Sequence, residues 1–288
     1  MKDSRWTWRS VGILSLAASL LLAIGFLYAV RDIVNPRGEE LAAGTPQATA
    51  PPVEEEYRIV ALGDSLAKGT GDRDGKGFAR RTVDVLTDRG LKASLVANLG
   101  VNGLTTAGLQ DRLKEEGVRY AVKKANVILV SIGGNDLFRG SGIADGGVIA
   151  DDAGTAAGET QPKASAPAPA AQGELDPKAL LGALPAAAER MRSALDTLIE
   201  LNPQASIYLV GLYNPFGDIP QLLQPGNQAV SAWNGAVLDL VNVRPAVTLV
   251  PTMDLFSGRQ AEYLSNDHFH PNGNGYERMA QRIAQAIR

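Results

Sequence analysis

The chain has 288 residues, 45% hydrophobic and 20% charged, which suits one domain of moderate size with extras rather than two full domains. Its 28 basic and 31 acidic residues nearly balance at a net charge of -3, which leaves no basic stripe and no reason to expect nucleic acid as a partner. The absence of cysteine excludes disulfides, a thiolate nucleophile and a Cys-ligated metal, and the two histidines, His268 and His270, lack HExxH-type spacing, so neither metal nor cofactor is expected.

In chain order, Val11 to Val30 comes first, twenty residues without a charge. An α-helix of about that length crosses a ~30 Å hydrocarbon core. The run reads as a membrane span rather than a cleaved signal peptide, being long for an h-region and lacking a small-x-small site directly after it; Ala48 to Ala50 is a poor, late candidate. Lys2, Arg5 and Arg9 precede it, whereas Arg31 and Arg37 beyond it are mixed with acids, so residues 1–10 are expected in the cytoplasm and the body outside. Residues 31–56, rich in Pro, Ala, Thr and Glu, read as a stalk.

The body, 57–288, opens with a hydrophobic run, Ile59 to Leu62, that stops at Gly63 and is followed two residues later by Ser65. This is the form of a buried parallel strand that turns sharply at its carboxyl end to present a side chain. The following GTGDRDGKGF resembles a P-loop and a calcium loop only superficially: Thr70 and Gly77 stand where a P-loop needs Gly and Ser or Thr, and Lys76 and Val83 fall on calcium-ligand positions. It reads as a surface turn before a helix over about Phe78 to Arg89.

Leu95 to Leu99 makes a short strand ending in NLGVNGLTT, with a helix from about Thr106 to Glu116. Asn126 to Ile132 is the most apolar strand and ends in GGND, which brings Asn135 to the same sheet edge as Ser65. At about 139–177 the composition collapses into Ala, Gly, Pro and Ser, an insertion expected to be disordered. Leu184, Met191, Leu195 and Leu198 then mark a helix face, Ser206 to Gly211 a fourth strand, Gln228 to Asn242 a helix after a long loop, and Val247 to Val250 a fifth strand. A last helix carries Tyr276, Met279, Ala280, Ile283 and Ile287. The pattern is βαβαβαβαβα, an α/β fold: a flavodoxin-like three-layer α/β/α sandwich on a five-stranded parallel sheet, preceded by one transmembrane helix.

Asp267 and His270 stand three apart in a loop of Asn, Gly and Pro, a spacing that lets one turn aim both at one point. An Asp that accepts from one imidazole nitrogen leaves the other free as a base. Four blocks now occur in order: GDSL at Gly63 to Leu66, NLGVNG at Asn98 to Gly103, GGND at Gly133 to Asp136, and DHFHP at Asp267 to Pro271. With them the chain resembles the SGNH hydrolase superfamily, the GDSL esterases and lipases, over Tyr57 to Asp136 and about Lys178 to Arg288. The anchor and the GDxxGxGF loop look most like a bacterial, membrane-tethered branch.

The resemblance implies Ser65 as nucleophile, Asp267 and His270 as its acid and base, and an oxyanion hole made by the backbone N–H groups of Ser65 and Gly103 and the side chain of Asn135. His268 has no place in that motif. The α/β-hydrolase elbow, Gly-x-Ser-x-Gly, does not match, since Ala67 replaces its second glycine. The expected activity is hydrolysis of carboxylic esters, whether of lipids, lysophospholipids or O-acyl groups on envelope polysaccharide. The rivals are a non-catalytic binding module on the same fold and a metal-dependent phosphodiesterase. Leu137, Phe138, Tyr213, Phe216, Leu222 and Leu223 are candidates for an acyl pocket.

Overall fold

The computed structural model describes residues 4–34, 56–138 and 181–287. The insertion at about 139–177 and most of the stalk therefore lie outside the described residues. The chain divides into two units, Met1–Val53 and Glu54–Arg288.

In the first unit the described residues form one helix, α1 (Ser4–Val34), which extends beyond the expected span at both ends. Its stretch Arg9–Arg31 is long and apolar enough to cross a membrane, and the same description fits a signal sequence near an amino terminus. Leu14, Leu22 and Phe26 all stand exposed.

The second unit runs β1 (Tyr57–Gly63), α2 (Ser65–Lys68), α3 (Gly77–Asp88), β2 (Ala93–Gly100), α4 (Thr106–Arg112), α5 (Glu116–Lys124), β3 (Val127–Ser131) and α6 (Gly134–Phe138). After residue 181 come α7 (Leu184–Leu201), β4 (Ser206–Val210), α8 (Pro220–Asn242), β5 (Val247–Val250), α9 (Met253–Phe256), α10 (Gln260–Tyr263) and α11 (Gly273–Ala286). The five strands form one parallel sheet in the order β2-β1-β3-β4-β5. Helices α3 and α11 pack together on one face, and α4, α5, α7 and α8 join on the other. Strand β3 is buried along its whole length and β1 and β4 over all but their first residues, as central strands between two helical layers must be, whereas the edge strand β2 is half exposed.

The chain leaves β1 toward β2 on one side and returns to β3 on the other, so the strand order reverses between β1 and β3. Ligands of open α/β sheets bind at such a switch point. Here the two strand ends close on each other: the Asp64 N–H donates to the Ser131 carbonyl at 2.9 Å, and a Cβ on Gly63 (φ +133°) would lie 1.8 Å from that oxygen. Gly133 (φ +113°) likewise leaves room for the buried Trp233, whose ring a Cβ would meet at 2.2 Å. Glycine at these two positions lets the turns carrying Ser65 and Asn135 approach each other.

Two expected elements differ. The helix expected over Thr106 to Glu116 is two helices, because Glu115 adopts an extended conformation (φ -69°, ψ 134°) and α5 starts after it, burying Val118, Ala121 and Val122. The helix expected from Gln228 starts at Pro220 and contains Pro225. The Pro and Gly residues of that stretch signal a loop, but Pro220 stands in the first turn, where its missing N–H costs nothing, and burial of Leu222 holds the helix through Pro225.

Candidate active site

Ser65 is the first residue of α2, directly past the end of β1. Asp64 caps that helix in an extended conformation, its Oδ1 accepting from the Leu66 N–H at 3.0 Å, and the left-handed Gly69 closes the turn after four residues. The serine is thereby held on a tight strand-to-helix corner, 6% exposed.

The loop between α10 and α11 folds back on itself through an antiparallel bridge between Leu264 and Pro271 and a bond from the Ser265 N–H to the His270 carbonyl at 2.8 Å. His268 takes up the turn in the left-handed region (φ +54°). Asp267 organises the interior of the loop: its Oδ1 accepts from Ser265 Oγ at 2.8 Å and from the N–H groups of Phe269 and His270 at 2.9 Å each. Its Oδ2 lies 2.7 Å from His270 Nδ1, and His270 Nε2 lies 2.8 Å from Ser65 Oγ. Residues 205 positions apart in sequence thus form one hydrogen-bonded line, Asp267–His270–Ser65. Burial pushes the Asp267 carboxyl up, but hydrogen bonding to His270, that residue's charge and the two amides outweigh it and hold the group at about 2.

Asn135, second residue of α6, is buried and donates one amide hydrogen to the Leu104 carbonyl at 2.9 Å. Gly103 (φ +72°) precedes that carbonyl in the turn after β2. A buried cluster fixes this turn against α6. Asp136 accepts from the Thr106 N–H at 2.8 Å, from Thr106 Oγ1 at 2.6 Å and from Arg190 Nη2 at 3.2 Å, while Arg190 Nε donates to Thr106 Oγ1 at 2.8 Å. Sequence reasoning did not single out Thr106, Arg190 or Ser265. The Ser265-x-Asp267 spacing is a local signal for one of them, whereas Arg190 lies 54 positions from Asp136 and no local pattern pairs them.

Beside Ser65 and Asn135 opens a narrow cleft whose apolar walls are Leu66, Phe138, Leu212, Tyr213, Pro215 and Phe269. Of the expected pocket residues, Phe138 and Tyr213 line it. Leu137 and Leu222 are instead core, Phe216 packs behind the wall, and Leu223 offers its carbonyl to Asn214. A larger, polar cavity of about 560 Å³ is lined by Asp267 together with residues 71–74 and 272–274. Among the described residues no group of three or more His, Asp or Glu side chains stands where it could hold a metal ion.

Asp64 also faces the cleft. Burial pushes its carboxyl up to about 7, with the Leu66 amide opposing and the negative charge of Asp136 adding to the rise. A carboxyl that keeps its proton when folded but loses it near pH ~4 when unfolded makes the folded state less stable as pH rises from ~4 to ~7, by about 4 kcal/mol at most. Asp64→Asn, which keeps a capping oxygen, is expected to flatten that decline. Urea unfolding of both proteins at the two ends of the window checks this, and identical slopes would refute the shift.

These features match known proteins. The model of the GDSL-like Lipase/Acylhydrolase family matches residues 61–278, more than half of the chain. The uncharacterized protein YpmR of Bacillus subtilis is 28% identical over 96% of both chains. The spore germination lipase LipC of Bacillus licheniformis is 27% identical over 80% of this chain and 95% of its own. Among solved structures, the lipase Lip_vut3 from a goat rumen metagenome is 26% identical with a TM-score of 0.61, over 80% of this chain and 97% of its own. With the matched stretch running from β1 through the Asp267–His270 loop, the chain belongs to the GDSL-like lipase/acylhydrolase family and is a hydrolase of ester bonds.

Proposed function

We propose that the chain is a serine esterase that cleaves carboxylic esters through an acyl-enzyme. The observation that carries this reading is the unbroken line from Asp267 Oδ2 to His270 Nδ1 (2.7 Å) and from His270 Nε2 to Ser65 Oγ (2.8 Å). His270 takes the Ser65 proton as Oγ adds to the ester carbonyl carbon, and Asp267 stabilises the imidazolium that forms. The oxyanion is met by the Ser65 and Gly103 N–H groups and by the Asn135 amide hydrogen that Leu104 does not take. Each such donor is worth ~2.7–4 kcal/mol of barrier. Collapse of the adduct expels the alcohol, which takes the proton from His270. Water, deprotonated by the same imidazole, then releases the acid.

The substrate belongs among lipid, lysophospholipid or O-acyl esters. The apolar length of α1 supports a membrane anchor, and Lys2, Arg5 and Arg9 ahead of it support residues 1–10 in the cytoplasm and the body 57–288 extracytoplasmic, within reach of lipids and envelope polysaccharides alike. A non-catalytic module on the same fold would not need His270 aligned on Ser65.

An alkyl fluorophosphonate separates the two readings. The full-length chain in detergent is expected to take one label, found by peptide mass spectrometry on Ser65, with ester hydrolysis lost in step. Full ester turnover with Ser65 unlabelled would refute the acyl-enzyme, and no label with no turnover would favour the binding module.

A further inference from the structure

We infer that the acyl side of the site admits a group of acetyl to propionyl size and excludes longer chains; this rests on the acyl-enzyme reading above. The apolar cleft touches both Ser65 and Asn135; with the carbonyl oxygen toward Asn135 and the leaving alcohol toward His270, which protonates it, the alkyl end of the acyl group is left to lie between Leu66, Phe138, Tyr213 and Phe269. The cavity there measures only about 20 Å³. One water needs roughly 10–15 Å³ in that measure, so the recess holds one or two such groups, a methyl or an ethyl.

The walls are fastened. Tyr213 stacks on the buried Phe256 with centroids 3.9 Å apart and donates its hydroxyl to the Phe269 carbonyl at 2.7 Å. Phe138 and Phe269 meet at 6.3 Å, and Phe216 closes the gap behind them at 5.5 Å and 6.0 Å. Phe216 is itself 5% exposed, and its N–H bonds Asn214 Oδ1 at 3.0 Å. Asn214 in turn reaches α8 through Leu223 and Asn227. Opening a channel for a long acyl chain means moving three interlocked rings and a buried loop, which close-packed interiors resist.

A recess that buried the chain would raise kcat/KM about fourfold for each added methylene. A closed one instead rejects a surplus methylene by roughly 10-fold or more. Isomeric esters separate these cases at equal hydrophobicity: hexyl acetate puts its long arm on the alcohol, ethyl hexanoate on the acyl group. With the full-length chain in detergent, and rates divided by those of alkaline hydrolysis, hexyl acetate is expected to have at least ~10-fold the kcat/KM of ethyl hexanoate. Phe216→Ala removes the back of the recess and is expected to bring the ratio close to one chiefly by a gain on hexanoate; Phe138→Ala does the same from the side if the first variant does not fold. Equal or better turnover of ethyl hexanoate by the wild-type chain would overturn the size limit while leaving the acyl-enzyme intact. A folded Phe216→Ala or Phe138→Ala with an unchanged ratio would overturn the assignment of these rings as its cause. Failure on both esters with Ser65 unlabelled would remove the underlying reading as well.

Discussion

Replacing Ser65 by Ala is expected to lower kcat by about 10⁴-fold or more, and replacing His270 by Ala by a comparable factor, with the melting temperature of each close to that of the wild type. The two act as a unit, because the serine hydroxyl is a poor nucleophile until Nε2, 2.8 Å away, takes its proton. The double variant is accordingly expected to be no worse than either single one. Folding is spared because Ser65→Ala leaves the β1–α2 corner in place, held by Asp64 on the Leu66 amide and by Gly69. His270→Ala deprives Asp267 of one partner while three donors remain on its other oxygen. His268→Ala serves as the control, since that residue shapes the loop through its left-handed backbone and its N–H to the Ser265 carbonyl, and its ring bonds neither Ser65 nor Asp267. Initial rates on a short ester with thermal melts decide the matter. Equal losses in the two His variants, or more than a few percent of activity left in both Ser65→Ala and His270→Ala, would overturn the assignment.

Much of this arrangement was legible because it depends on local chemistry. The apolar run Ile59 to Leu62 and the predominantly apolar stretch Asn126 to Ile132 mark central parallel strands, and the glycine after each marks the turn that delivers Ser65 and Asn135. The Asp-x-x-His spacing foretold that one turn would bring Asp267 and His270 together, as it does at 2.7 Å. What stayed hidden depends on distance or on competing signals. Leu222 and Leu137 look like pocket residues beside aromatic neighbours, yet burial in the core claims them, and only the packed structure shows that Phe216 stands behind the wall formed by Phe138 and Phe269. The first turns of α8 read as a loop because two prolines and a glycine outweighed a short leucine pair. The cluster of Asp136, Thr106 and Arg190 joins three helices, one of them beyond the Ala/Pro-rich stretch, and no periodicity connects them.

Asp267→Asn is expected to lower kcat by about 10⁴-fold although it removes a single charge and changes no volume. The reason lies in the two oxygens. Oδ1 accepts from Ser265 Oγ and from the N–H groups of Phe269 and His270, and backbone donors cannot reverse their role. The asparagine must therefore set its carbonyl oxygen there and turn its NH₂ toward His270 Nδ1, where Oδ2 stood at 2.7 Å. Nδ1 can then only accept, so the single ring proton moves to Nε2, the nitrogen that faces Ser65 Oγ at 2.8 Å. The lone pair that should take the serine proton is gone. The opposite amide orientation would preserve the tautomer but oppose NH₂ to two backbone N–H groups, at about 1–3 kcal/mol for each donor left unpaired. The loss should therefore fall on kcat rather than KM, and fluorophosphonate labelling of Ser65 should slow in parallel, since both reactions need the same proton transfer. A second signature lies in acid. With the Asp267 carboxyl held at about 2, its contribution to stability is present above the unfolded value near ~4 and is lost as pH falls through 2. The asparagine variant has no such group to protonate, so its stability should decline less across that window. A kcat within ~10-fold of the wild type would mean that His270 keeps its tautomer without Asp267, and the proposed role of the carboxylate would fall.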